Sequence, residues 1–173
     1  MLRNQWVVLA GFIVLCLAVG SLGGFAVSAS IVEWYPTINK PSWNPPNWLF
    51  GPVWTVLYVM MAVAAWGVWR SKDRIGPAMI LFFSQLALNL AWSFLFFGAR
   101  SPWLGLVEIT FLWLALVFTI VAFFGRVTWA GWLMLGMSRT LLKMPRLASL
   151  VEPYAASAKR STAWEAGCSV RWF

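Results

Sequence analysis

The sequence predicts an all-α integral membrane protein, a bundle of transmembrane helices, and three observations predict it. Apolar residues make up 61% of the 173 and charged residues only 10%, more apolar surface than a soluble domain of this length can use. Four runs at 6–29, 47–69, 77–97 and 103–124 carry almost no charge, and each is close to the ~20 residues that cross a bilayer. The net charge is +8, but the basic residues gather at the ends of these runs and in the tail. That is the arrangement of topology signals, not of a nucleic-acid-binding stripe. The lipid bilayer is therefore an expected partner and nucleic acid is not.

The first run, W-V-V-L-A-G-F-I-V-L-C-L-A-V-G-S-L-G-G-F-A-V-S-A, is uncharged over residues 6–29. It exceeds the apolar core of about 7–15 residues found in a signal peptide, so it reads as a span. Gly20, Gly24 and Ser28 recur every fourth residue and predict a small-residue face for close helix packing. The second run begins where Pro46 and Pro52 permit, since proline is tolerated in a first turn and not beyond it. On it, Trp54, Tyr58 and Met61 share a face. The third run places Gln85, Asn89 and Trp92 on one face. An amide is costly in hydrocarbon unless it is bonded, so this face should look into the bundle, either to bind a ligand or to bond another helix. The fourth run holds one acid, Glu108, five residues after Trp103. An acid there either snorkels outward, with Arg100 as the expected partner, or faces the bundle. Trp6, Trp48, Trp69 and Trp103 lie near run ends and read as interface anchors.

Between the first two runs stands the most unusual stretch, from Trp34 to Tyr58. It has five prolines (36, 41, 45, 46, 52), four tryptophans (34, 43, 48, 54), two tyrosines (35, 58) and a single charge, Lys40. Each proline fixes its own φ and restricts the residue before it, so little entropy is lost when something flat and apolar packs here. This stretch reads as the wall of a binding site between two membrane helices, with Trp43 and Trp54 held by the proline frame. The chain has no histidine and two cysteines, Cys16 and Cys168. Neither a zinc or iron cluster nor an imidazole haem ligand is expected, and no resident cofactor. Basic residues number five at the N-terminus and the 70–76 and 125–128 loops, against two at 30–46 and 98–102. The positive-inside rule puts the N-terminus in the cytoplasm and the Trp/Pro loop outside.

The motifs W-Y-x-x-x-x-K-P-S-W-N-P-P-x-W (Trp34–Trp48), G-P-V-W-T-x-L-Y (Gly51–Tyr58), Q-L-A-L-N-x-A-W (Gln85–Trp92), F-F-G-A-R (Phe96–Arg100) and T-W-A-G (Thr128–Gly131) resemble the tryptophan-rich sensory protein / translocator protein family, also called the peripheral-type benzodiazepine receptor family. The resemblance covers about residues 6–135. It implies a bundle of five helices, often dimeric, that binds porphyrins such as protoporphyrin IX, and also sterols. Carried over by motif, the pocket would include Tyr35, Pro45, Phe50, Trp54, Tyr58, Asn89 and Trp92. The porphyrin is implied as a ligand, with Lys40 or Arg100 pairing its propionates. Some bacterial members are linked to light- and oxygen-dependent porphyrin breakdown, which makes Trp54 a redox candidate under an enzymatic reading. The implied location is the bacterial cell membrane, or the mitochondrial outer membrane in a eukaryote.

Past residue 135 the match fails. The family's P-Y-L-x-W helix is absent, and Arg139, Lys143, Arg146, Pro145 and Pro153 interrupt the run. Each central Arg or Lys costs roughly 2.5–3.5 kcal/mol to insert. Residues 1–135 are therefore expected to form the bundle domain with four spans. Residues 129–138 should lie at the interface, and 136–173 should form a divergent basic tail in place of the fifth helix. An abrupt change of composition of this kind also raises the reading of a damaged gene product.

Overall fold

The computed structural model describes residues 2–33, 48, 50–71 and 76–142. Five α-helices follow in order: α1 (Leu2–Glu33), α2 (Phe50–Trp69), α3 (Pro77–Ser93), α4 (Pro102–Phe124) and α5 (Thr128–Leu142). α3 continues into a π-helical turn, Phe94–Gly98. Four helical stretches, Asn4–Ser28, Gly51–Trp69, Pro77–Gly98 and Pro102–Phe124, are long and apolar enough to cross a membrane. This is the predicted all-α membrane bundle, with the predicted four spans.

Local chemistry sets the helix ends. Pro77 and Pro102 open α3 and α4, where the missing N–H would have been unpaired anyway. The Ser101 side chain caps α4 by accepting from the Leu104 N–H at 3.4 Å. Just before it, Arg100 has φ 50°, a left-handed turn residue that lets α4 fold back antiparallel on α3.

Packing runs around a ring in the order α1, α2, α5, α4, α3 and back to α1. Cys16, Met61, Phe82, Leu112, Leu116, Phe123 and Met134 fill its core, and the Phe82 and Phe123 rings stack at 6.2 Å between α3 and α4. Outward stand Val7, Val14, Phe25, Phe83, Phe111 and Phe118, apolar side chains suited to lipid. At one end of the bundle α1 is pinned to the α3–α4 connection, as Ser30 Oγ donates to the Phe97 carbonyl at 2.7 Å and Arg100 pairs with Glu33 at 2.9 Å. At the other, Trp66 Nε1 donates to the Gln5 carbonyl at 2.9 Å.

Two expectations are corrected here. The close-packed face of α1 is Gly20 and Gly23, not Gly20, Gly24 and Ser28. A Cβ on Gly20 would lie 2.6 Å from the Tyr58 ring and one on Gly23 would lie 2.9 Å from Ser93 Oγ, whereas Gly24 has open space and Ser28 is exposed. The reason is helical drift. Steps of four advance a row by about 40° each, so a stripe that keeps facing its neighbours must include a step of three.

The second correction concerns residues 129–138. They do not lie apart at an interface. They form most of α5, which packs between α2 and α4 and fully buries Ala130 and Met134. Hydropathy weighs charge, but small residues decide contact between helices. Gly67 lets the Trp129 indole lie directly on α2, and Gly131 admits Phe124, whose ring would be 2.5 Å from a Cβ there. The described α5 has 15 residues, about 22 Å of helix and short of a full span. The tail from 143 onward lies outside the described residues.

Candidate functional site

The two polar faces read from the sequence meet across the bundle. Tyr58 on α2 and Asn89 on α3 are both buried, and the Tyr58 hydroxyl donates to Asn89 Oδ1 at 2.7 Å. Three features hold Tyr58 in place: Gly20 leaves room for its ring, Met61 is buried one turn along the same face, and Trp54 lies one turn back. The Trp54 and Tyr58 rings are 6.1 Å apart and tilted by 39°, within the range of favourable aromatic pairs. Trp54 itself is half-buried. On α3, Trp92 is half-buried and stacks on Phe96 at 5.2 Å and 9°, and Phe97 meets both edge-on.

Polar atoms without partners are concentrated on two helices. Among the described residues, the buried side-chain nitrogens and oxygens that make no hydrogen bond are Gln85 Nε2 and Oε1, Asn89 Nδ2, Trp92 Nε1, both Glu108 oxygens and Trp113 Nε1. All belong to α3 and α4. Native proteins leave few such atoms unpaired, and each calls for an explanation. Asn89 and Trp92 thus carry buried N–H groups that are free to donate, the first against Tyr58 of α2 and the second against Phe96 and Phe97. The arrangement combines aromatic faces with N–H donors that no protein group takes up.

A family model described as the TspO/MBR family matches residues 12–137. The chain belongs to the TspO/MBR family. It is 46% identical over 125 residues to a tryptophan-rich protein TspO of Chlorobaculum tepidum, covering 70% of this chain and 79% of that one. It is 36% identical over 130 residues to a tryptophan-rich sensory protein of Cereibacter sphaeroides, covering 75% and 80%. It is 38% identical over 113 residues to a translocator protein of Sus scrofa, covering 60% and 64%. With the four spans, this membership makes the chain a multi-pass membrane protein of the sensor and translocator class. The match runs to residue 137 and so includes the part of α5 that holds Ala130 and Met134.

Not all of the predicted site falls within the described residues of this TspO/MBR chain. Tyr35, Trp43, Pro45 and Lys40 lie outside them, and Phe50 opens α2. The structure brings Trp54, Tyr58 and Asn89 together and puts Trp92 one turn beyond Asn89 on the same wall. Gln85, one turn the other way, is fully buried without a partner. Two expectations change. Glu108 does not snorkel toward Arg100; it is buried, and Arg100 is engaged by Glu33. Only one guanidinium nitrogen of Arg100 is used by Glu33, and the side chain is half exposed. Trp69, read as an interface anchor, is half-buried against the core, whereas Trp6, Trp48 and Trp103 are exposed as anchors should be. Sequence reasoning missed the contact of Gly20 with Tyr58, although the small-residue stripe on α1 signalled it. It also missed Trp113, which nothing in the spacing distinguished from lipid-facing aromatics.

Proposed function

We propose that this protein binds a tetrapyrrole of the protoporphyrin class inside the bundle, at the Trp54–Tyr58–Asn89–Trp92 wall, and acts as a sensor or carrier of it. The observation that carries the reading is the Tyr58–Asn89 hydrogen bond of 2.7 Å. It fixes an aromatic face from α2 against an amide from α3, and the amide nitrogen remains without a partner. A conjugated macrocycle offers a large π surface, and each good aromatic contact contributes about 0.5–1.5 kcal/mol beyond burial. An acceptor on the ligand would take the Asn89 N–H group, which the closed bundle leaves unsatisfied at a cost of about 1–3 kcal/mol. The family membership supports the same reading, as does the motif resemblance of the Trp34–Tyr58 stretch. The bundle sits, on this proposal, in the cell membrane with its N-terminus cytoplasmic.

Titration of the detergent-solubilised protein with protoporphyrin, followed by quenching of tryptophan fluorescence, tests this. Trp54→Ala should weaken binding by about tenfold, the loss of one to two aromatic contacts. Trp103→Ala, on the exposed outer surface, should leave it unchanged. Equal loss from both would show that the wall is drawn in the wrong place.

A further inference from the structure

Glu108 has no role in that site as described, yet it is the most anomalous residue in the bundle. It is a carboxyl group inside a membrane span, 6% exposed, with neither oxygen bonded. Arg70, Arg100 and Arg126 are exposed at helix ends, and neither Glu108 oxygen bonds any of them. An ionisable group within a span is expensive and points to a ligand pathway or site by default.

Its place in the bundle follows from the helix register. A Cβ on Gly105 of α4 would lie 2.5 Å from the Phe96 ring, so these two positions face each other across the antiparallel pair. Glu108 is three residues on from Gly105, about 4.5 Å along α4. Trp92 is four residues back from Phe96, about 6 Å along α3 in the same direction. Glu108 and Trp92 therefore stand at one level. That level also holds an unbonded indole N–H, and the π-helical turn Phe94–Gly98 begins next to it. π-turns are rare and concentrate at functional sites. A stacked aromatic pair, Trp92 and Phe96 at 5.2 Å, completes the surroundings. A carboxyl group beside aromatic faces is the chemistry that receives amines and other N–H donors.

We propose that Glu108 is the inner, acceptor pole of this binding site, selecting ligands that bring a cationic or N–H donor group against the α3–α4 wall at the level of Trp92. The inference rests on the tetrapyrrole reading and adds to it a chemical preference: the edge of the ligand that reaches Glu108 is a donor edge, and carboxylate edges lie elsewhere.

The test compares two probes on the full-length protein in detergent: protoporphyrin, a dicarboxylate, and a porphyrin carrying aminoalkyl groups in place of the propionates. The wild type should bind both. Glu108→Gln keeps the size and removes the charge-assisted acceptor. It should weaken the amino probe by about tenfold, the value of one hydrogen bond to a charged group, and leave the dicarboxylate as tight or tighter. Glu108→Asp, which keeps the carboxyl group, should retain the order of preference and provides a second variant if the glutamine form elutes aggregated. Equal changes for both probes, or none, would overturn the assignment. So would a wild type that binds only the dicarboxylate, although the tetrapyrrole reading would then survive. If the wild type binds neither probe, the tetrapyrrole reading itself fails and the inference falls with it.

Discussion

Replacing Tyr58 with Phe removes one oxygen atom and isolates the contact on which the site depends. The ring stays between Gly20, Trp54 and Met61, while the 2.7 Å bond to Asn89 Oδ1 is lost. Asn89 already has an unbonded Nδ2, so the substitution leaves the whole amide unsatisfied. In water-soluble proteins such a loss costs about 1–3 kcal/mol. Between membrane helices, measured couplings average ~0.6 and reach ~1.7 kcal/mol, because the unfolded chain in the membrane also finds partners. We expect about 1 kcal/mol for Tyr58→Phe. A double-mutant cycle with Asn89→Leu separates the bond from packing. The double variant should be less destabilised than the sum of the single ones, by about 0.6–1.5 kcal/mol, since it leaves no stranded amide. Unfolding of the purified protein in mixed micelles, followed by helical circular dichroism, gives the three values. Strict additivity would refute the bond as a coupling between α2 and α3, and with it the argument that the aromatic face and the amide form one site.

Gly67→Val should displace the Trp129 indole that lies on α2 and destabilise the bundle by about 1–3 kcal/mol, the usual range for overpacking; if stability and the accessibility of α5 cysteine probes are unchanged, α5 is not held there. For orientation, a tag placed after Asn39 should be reached by impermeant reagents from outside the cell and one after Lys72 should not, from the excess of basic residues at the N-terminus and the 70–76 loop; the opposite labelling would invert the assigned topology.

Hydrophobic runs of sufficient length determine that spans exist, because backbone polar groups in lipid must be bonded within a helix. Proline and serine then set the helix starts, as at Pro77, Ser101 and Pro102. Helical period alone put Trp54, Tyr58 and Met61 on one face and Gln85, Asn89 and Trp92 on another, and polarity in a lipid solvent implied that the second face turns inward. The sequence could not say which partner each group would find. That Tyr58 bonds Asn89 depends on how closely α1, α2 and α3 approach, and the missing side chain of Gly20 controls that approach. The position of Glu108 was undecided for the same reason, because snorkelling and burial differ only by the rotation of α4 about its axis. Contact of Gly105 with Phe96, invisible along the chain, fixes that rotation. Residues 129–138 were expected at the interface because hydropathy sums the cost of Arg139, Lys143 and Arg146 over the whole run. Only the fold shows that Ala130, Gly131 and Met134 make their contacts before those charges begin. Sequence thus determined the membrane class, the spans and the faces, since these follow from local periodicity and transfer from water. The ring order, the Tyr58–Asn89 bond and the unbonded polar atoms of α3 and α4 were decided by tertiary packing, where the size of single side chains sets which helices touch.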